Sequence, residues 1–203
     1  ITTGFGKFSD VAISKEECRQ LQKNLIMSHS CGVGNTLSEE IVRAMMLLRA
    51  NALSKGYSGI RCETLDVLIS MLNKGVHPIV PEKGSLGSSG DLAPLSHMVL
   101  TMLGLGEAIY KGVKMESKDA MEKAGIKPLE YLGAKEGLAL INGTQCMTAV
   151  GAITIYDAMN LMKTADISLC LTMEALNGIT CAMDERVNLV RPHKGQFNTA
   201  KNV

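Results

Sequence analysis

The chain has 203 residues, of which 46% are hydrophobic, and its 21 basic and 20 acidic residues leave a formal net charge of +1. A chain of this length forms one domain or two small ones and can bury about 70% of its extended surface. The near-neutral charge provides no electrostatic attraction to nucleic acid or to an anionic membrane. Aromatic residues make up only 3% of the chain and Trp is absent, which disfavours a base-stacking platform.

The six cysteines form no C-x-x-C pair, which argues against a zinc site and against a disulfide-stapled secreted domain. We therefore expect reduced thiols in a cytoplasmic protein. No basic segment followed by an apolar one opens the chain as a secretory leader would. The longest uncharged run, residues 137–156, could cross a bilayer by length, but its Asn, Gln and Thr residues favour a buried helix of a soluble bundle.

Capping boxes predict the first two helices. Ser14 and Glu17 are spaced so that each side chain can satisfy an amide at the start of a helix. Thr36 and Glu39 repeat this spacing before a second apolar-periodic segment. A third helix is predicted over 63–73, where apolar residues again recur at helical spacing and a glycine follows.

Residues 76–91 contain two Pro and three Gly, and this composition predicts a loop. Asp91 is predicted to cap the next helix, which reaches about Gly104. A short strand pair or a turn is predicted within 106–114, and Ser117 is predicted to cap a short helix after it.

The remainder of the chain is predicted to form two long helices, over about 144–163 and 165–177, followed by an irregular polar tail over 191–203. Four methionines fall at helical spacing and are predicted to be core residues rather than ligands: Met45, Met46, Met98 and Met102.

The loop GSLGSSGD, at 84–91, has three interpretations. Phosphate binding is disfavoured, because no Lys-Ser/Thr follows the glycines and the spacing is not that of a dinucleotide fingerprint. A flexible Gly/Ser turn into a helix is what composition alone favours. The third is self-processing, since a glycine amide nitrogen in a tight bend can approach a carbonyl two residues back. Composition does not select the third interpretation.

A resemblance does select it. The stretch GSLGSSGDLAPLSHM, at 84–98, closely resembles the signature loop of the aromatic amino acid ammonia-lyases. Four further stretches are similar to segments of that family in the same order: TTGFG at 2–6, MSHSCGVG at 27–34, AKEGLALINGTQ at 134–145 and RPHKGQ at 191–196. The similarity covers the whole chain.

The resemblance implies a mainly α fold of the L-aspartase/fumarase-like type. It implies an N-terminal domain over 1–134 that bears the prosthetic group, and the start of a long central helical bundle over 135–203. It also implies a cytoplasmic homotetramer with an amino-acid substrate and with no metal, nucleotide, nucleic acid or membrane partner. The family's catalytic Tyr would precede Ile1 and other active-site residues would follow Val203, so we expect the segment alone to be inactive.

The family carries an electrophilic group, 4-methylidene-imidazol-5-one (MIO), made autocatalytically from an Ala-Ser-Gly triplet. Carried over to this chain, the triplet is Ser88-Ser89-Gly90, with Ser in place of Ala at the first position. The Gly90 amide nitrogen would attack the Ser88 carbonyl carbon. Loss of two waters would close the ring and convert Ser89 to a methylidene. Only the backbone carbonyl of Ser88 enters the ring, so its small side chain should be tolerated.

The resemblance also implies site residues. Asn142 matches an amide that hydrogen-bonds near the ring, and Gly6, Ser28, His29 and Gln145 match the substrate site. The Ser-His pair resembles histidine ammonia-lyases, whose substrate imidazole needs a polar partner, so the expected reaction is L-histidine to urocanate plus ammonia.

Alternatives to this reaction stay open. They are a tyrosine or phenylalanine ammonia-lyase, an aminomutase of the same family, and an inactive segment whose triplet is not cyclised. Purely structural roles also stay open for single residues: His29 as a core histidine, Asn142 as a helix cap and Gln145 as a scaffold residue.

Overall fold

In the computed structural model, which describes residues 3–86 and 90–203, most of the chain is helical and two small antiparallel sheets accompany the helices. The predicted mainly α class is therefore confirmed. The chain divides into two compact units, one up to Gly151 and one from Ala152 onward. The predicted domain boundary between residues 134 and 135 stays a prediction.

The α-helices are α1 (Lys15–His29), α2 (Glu39–Leu53), α3 (Cys62–Lys74), α4 (Leu92–Met102), α5 (Ser117–Lys123), α6 (Glu136–Ile141), α7 (Gln145–Ala175), α8 (Glu185–Leu189) and α9 (Lys194–Asn202). The strands are β1 (Val33–Thr36), β2 (Val76–Pro78), β3 (Pro81–Lys83), β4 (Glu107–Tyr110) and β5 (Val113–Glu116). Two 3-10 turns occupy Gly6–Phe8 and Thr180–Met183.

The first predicted capping box is confirmed and the second is wrong. Glu17 N donates to Ser14 Oγ at 3.1 Å and Ser14 N donates to Glu17 Oε2 at 2.8 Å. At the start of α2 the cap is Ser38, whose Oγ accepts from Ile41 N at 3.4 Å. Thr36 is unavailable as a cap because it ends β1, which pairs with β3.

The predicted loop at 76–91 is wrong in part, because two short strands lie within it. β2 pairs antiparallel with β4, which pairs with β5, so the sheet order is β2-β4-β5. β3 pairs with β1. Strands of three residues are too short to show an alternating pattern in the sequence, and only the long-range partners reveal them.

The predicted cap at Ser117 is wrong, and the one at Asp91 is right in position only. Asp91 is the N-cap residue of α4, but its side chain makes no capping bond to that helix. Ser117 is the first residue of α5 rather than its cap, and its Oγ lies 3.0 Å from Thr101 Oγ1 in the buried interior. In both cases a partner from another element takes the side chain that local spacing had assigned to a cap.

The two long helices predicted on either side of residue 164 are one helix, α7. Thr164 Oγ1 donates back to Asn160 O at 2.9 Å, so the polar residue is satisfied within the helix and does not end it. The polar tail was predicted to be irregular and instead contains α9. Gln196 in α9 donates to Asn188 Oδ1 in α8 at 3.1 Å, which fixes this pair within the second unit.

The core of the first unit lies among α2, α3 and α4, with β2 and β4 beside them. Its largest fully buried side chains include many methionines, which fill irregular space readily. The four methionines predicted to be core residues are fully buried, which confirms them: Met45, Met46, Met98 and Met102.

The stretch Glu136–Ala175 is long and apolar enough to cross a membrane, judged by length and composition alone. Many large apolar side chains of α7 are solvent-exposed in the second unit: Ile155, Tyr156, Met159, Leu161, Met162, Ile167 and Leu171. The same helix carries the charged residues Asp157, Lys163 and Asp166.

Candidate functional site

Gly90 is the one member of the predicted ring-forming triplet that the structure describes, since Ser88 and Ser89 lie outside the described residues. Its φ is +104°, a conformation that side chains disfavour. A Cβ added to Gly90 would overlap the carbonyl oxygen of Gly143. The position therefore accepts only glycine, both by backbone conformation and by space.

The link between α6 and α7 supplies the surface against which Gly90 rests. Asp91 N donates to Gly143 O at 2.7 Å, immediately beyond the triplet. Gly143 in turn is crowded, because a Cβ there would overlap Arg49 Nη1 and Gln145 Oε1. The motifs around residues 90 and 143, far apart in sequence, are thus in direct backbone contact.

Asp91 is fully buried, and its carboxylate joins both flanks of the triplet to α7. Oδ1 accepts from Ser85 Oγ at 2.5 Å, and Oδ2 accepts from Met147 N at 2.9 Å. Met147 lies in the first turn of α7, where backbone amides lack helical partners and the helix dipole favours negative charge. The Asp91 carboxylate therefore caps α7, not α4, the helix that it was predicted to cap.

Asn142 and Gln145 lie at the two ends of this link. Asn142 is the C-cap residue of α6, and its side chain is exposed. Gln145 begins α7, and its Oε1 accepts from Arg49 Nη1 at 2.9 Å. Gln145 is therefore engaged in a scaffold contact, whereas the exposed Asn142 amide makes no side-chain hydrogen bond to the residues that the structure describes.

The neighbouring Cys146 is buried, and burial together with the Asp91 carboxylate raises the pKa of its thiol to about 11. This thiol stays protonated at neutral pH, and a protonated thiol is a poor nucleophile.

Ser28 and His29 end α1. His29 Nδ1 lies 2.8 Å from Leu25 O, and Ser28 Oγ donates to the same carbonyl at 3.0 Å. A carbonyl oxygen only accepts, so the Nδ1 contact places the hydrogen of a neutral imidazole on Nδ1. The Nε2 lone pair of His29 is then available to a ligand, and the side chain is only partly buried.

The segment after α1 is tied to the triplet loop. Gly32 N donates to His97 Nε2 at 3.1 Å, and His97 belongs to α4, which follows the triplet. A Cβ on Gly84 would come within 3.1 Å of Gly32 Cα, so the two loops also touch through their backbones. These contacts bring the end of α1 beside the loop that carries Gly90.

The contact of His97 with Gly32 predicts that the stability of the fold depends on pH. Nε2 can accept only when it is unprotonated, and burial lowers the pKa of His97 below its ordinary value of 6.5. Below about pH 6.5 the unfolded chain therefore binds more protons than the folded chain, and the stability present at higher pH is lost as the pH falls. We expect the free energy of unfolding to decrease from pH 7 to pH 5.

The measurement is denaturant unfolding at several pH values. In His97→Gln the new amide oxygen can still accept from Gly32 N, so the free energy of unfolding should change less steeply with pH. Replacing the exposed His193 by Gln should leave this slope unchanged. A residual slope is expected, because burial also lowers the pKa of His77. An unaltered slope in His97→Gln would contradict this assignment.

Gly6 begins the first 3-10 turn with a φ of +56° and is exposed. The residues around it, including Phe5 and Phe8, line an apolar cavity of about 510 Å³ against α1. Residues 4–8 thus lie along α1, the helix that ends in Ser28 and His29. The role of Gly6 in substrate binding stays a prediction.

Sequence reasoning missed three residues that organise this region: Arg49, Ser85 and His97. Arg49 left one signal, because a charged residue stands on the apolar face of α2 among side chains that are fully buried. Ser85 and His97 left none, since their partners are distant in the chain or depend on the loop path.

A family model described as aromatic amino acid lyase matches residues 1–203. The chain is 68% identical over all its residues to a histidine ammonia-lyase of Alkaliphilus oremlandii, and it covers 40% of that protein. Among solved structures, it matches histidine ammonia-lyase from Trypanosoma cruzi with a TM-score of 0.91 and 41% identity, over 100% of this chain and 39% of the other.

It also matches a phenylalanine aminomutase of Pantoea agglomerans with a TM-score of 0.89 and 38% identity, over 99% of this chain and 38% of the other. The chain thus spans about 40% of the length of the relatives it matches. Because the family match extends over every residue, the chain belongs to the aromatic amino acid lyase family.

Proposed function

We propose that the protein to which this chain belongs converts L-histidine to urocanate and ammonia. The relatives named as histidine ammonia-lyases support this substrate, with identities of 68% and 63% in two of them. The reaction breaks the Cα–N bond and removes a proton from Cβ, which leaves a conjugated double bond.

We further propose that the reaction uses MIO formed from Ser88, Ser89 and Gly90, because members of this family depend on that group. The described residues fit it: Gly90 is held in a conformation and a space that only glycine accepts. When formed, the group supplies an electrophile that makes the substrate amine a better leaving group. No metal or nucleotide is required by this chemistry.

The observation that carries the proposal is the anchoring of Gly90 and Asp91 on the link between α6 and α7. The Asp91 N–H to Gly143 O bond and the two bonds to the Asp91 carboxylate hold the backbone directly after the triplet. A nucleophile held in one orientation reacts far faster than one in a flexible loop. This support on the flank of the triplet favours self-processing over a flexible Gly/Ser turn.

The preference for histidine rests on the end of α1. With its hydrogen on Nδ1, His29 offers Nε2 as an acceptor, which suits the N–H of a substrate imidazole. A benzene ring offers no such donor and would leave this nitrogen unpaired. The exposed amide of Asn142 would bind polar groups of the substrate, with Gln145 behind it.

An aminomutase is the second candidate, because the chain is also similar to a phenylalanine aminomutase at a TM-score of 0.89. Such an enzyme would return the amine to Cβ and would yield a β-amino acid in addition to, or instead of, ammonia. Product analysis separates the two candidates.

We also propose that the protein is cytoplasmic and assembles as a homotetramer. Several large apolar side chains of α7 are exposed, and this exposure favours their burial against other subunits. Burial in lipid is less favourable for this helix, since Asp157, Lys163 and Asp166 interrupt it.

The test measures the UV-absorbing product that a full-length protein releases from L-histidine, with L-tyrosine and L-phenylalanine as comparisons. We expect product from histidine alone, and Ser89→Ala should abolish it. Exposed Ser58→Ala is the matched control and should retain activity. Intact mass should show loss of two waters in the parent and not in Ser89→Ala. Full activity of Ser89→Ala would refute the mechanism.

A further inference from the structure

Arg49 is a buried cation that the proposed chemistry does not use. It lies on the inner face of α2 and is only 5% exposed. Among residues 3–86 and 90–203, no carboxylate forms an ion pair with it. Burying a guanidinium without a counter-charge is unfavourable, so its retention calls for other partners.

Those partners are the oxygens at the end of α6 and the start of α7. Nη2 donates to Ala139 O and, at 3.1 Å, to Asn142 O, while Nη1 donates to Gln145 Oε1 at 2.9 Å. The last carbonyls of a helix lack helical donors and carry partial negative charge. Arg49 therefore caps α6 and fastens the link that leads into α7.

Direct contact connects this guanidinium to the triplet. A Cβ on Gly143 would overlap Arg49 Nη1, and a Cβ on Gly90 would overlap Gly143 O. The Gly143 peptide is thus enclosed between the Arg49 guanidinium and Gly90. Displacement of the guanidinium would let the link move away from Gly90.

We propose that Arg49 is a positioning residue for ring closure, holding Gly143 against Gly90 so that the Gly90 backbone keeps one orientation. This inference rests on the proposed function. In the step itself a bond forms between Gly90 N and the Ser88 carbonyl carbon, whose oxygen leaves as water with the amide hydrogens of Ser89 and Gly90. Ser89 loses its hydroxyl and an α-hydrogen as a second water, so no oxidant is needed. Arg49 exchanges no proton or bond in this step.

The shape of arginine matters for this role. Its planar fork reaches a side-chain oxygen and two carbonyl oxygens at once, whereas lysine offers one compact ammonium on a flexible stem. Arg49→Lys should therefore keep the charge and part of the anchoring, and Arg49→Met should keep volume while losing both.

The test measures ring closure in full-length protein by intact mass, as the fraction of chains that have lost two waters at successive times after synthesis. Circular dichroism and thermal unfolding report the fold in the same samples. Arg43→Met is the matched control, because Arg43 is an exposed arginine of the same helix that donates to Leu72 O at 3.2 Å.

We expect a folded Arg49→Met protein to close the ring about a hundredfold more slowly, the effect of a displacement of about 1 Å at a reacting group. Arg49→Lys should recover part of the rate, and Arg43→Met should match the parent. Closure at the parental rate in Arg49→Met overturns the proposal. If Arg49→Met does not fold, the rate of ring closure in Arg49→Lys is the test. Closure at the parental rate in that variant also overturns the proposal.

If both Arg49 variants fail to fold while Arg43→Met folds normally, Arg49 is needed only for the stability of the fold. This result would also overturn the proposal. A parent protein that never loses two waters refutes the proposed function instead. The two failures are therefore distinguishable.

Discussion

Replacing Gly90 by Ala should abolish ring closure. The variant should therefore not lose the two waters that ring formation releases, and it should release no product from histidine. The new Cβ would overlap Gly143 O, and the φ of +104° adds strain of about 1–3 kcal/mol for a residue with a side chain. Relief requires Gly90 to leave the surface that orients it. Intact mass and the UV assay in full-length protein measure both effects.

Gly112→Ala is the control for backbone strain alone. Gly112 has a φ of +78° in the turn between β4 and β5, but nothing lies within 4 Å of a Cβ there. This variant should lose some stability and still close the ring fully. Complete ring closure in Gly90→Ala would show that the contact with Gly143 does not position the nucleophile.

Replacing Glu136 by Ala should lower the free energy of unfolding by about 3 kcal/mol. This value is near the lower end of the cost of removing one partner of a buried ion pair, because Arg61 keeps some solvent contact. The Glu136 carboxylate is 2% exposed and accepts from Arg61 Nε at 3.0 Å and Thr64 Oγ1 at 2.9 Å. It also accepts from Gly133 N at 2.5 Å. The substitution leaves these donors without their shared acceptor at the junction of α3 and α6.

Denaturant unfolding of the parent and the variant measures this change. Glu63→Ala is the control, because Glu63 also pairs with Arg61, at 3.3 Å, but its side chain is 81% exposed. An exposed pair contributes at most about 1 kcal/mol. Equal losses in the two variants would show that the burial of Glu136 does not set the strength of its contacts.

The helical framework was predictable because its causes are local. The box of Ser14 and Glu17, the spacing of apolar residues in α2 and the left-handed Gly75 after α3 all lie within a few residues of the helix ends they define. The strand pair β4–β5 was predictable for the same reason, since its partners are adjacent in the chain.

Predictions failed where a distant partner competed with a local one. Thr36 joins β1 instead of capping α2, and Ser117 turns inward to Thr101 instead of capping α5. In each case local spacing allowed the predicted role, and a contact elsewhere satisfied the side chain better.

In the candidate site too, some residues were predictable from local motifs and others depend on distant contacts. The order of the motifs in the sequence was sufficient to indicate the triplet, His29 and Asn142, because each motif is a contiguous run of residues. The residues that support them were not visible in this way. Arg49 meets Gln145 across 96 positions, and Asp91 meets Met147 across 56.

The sequence by itself therefore determined the helical class, most helix boundaries of the first unit and the family resemblance, because periodicity, caps and contiguous motifs are properties of neighbouring residues. Only the tertiary structure decided that Asp91 caps α7, that Gly143 supports Gly90 and that Arg49 holds Gly143. Those contacts depend on burial of groups that lie far apart along the chain, and no local pattern encodes which partner a buried charge will find.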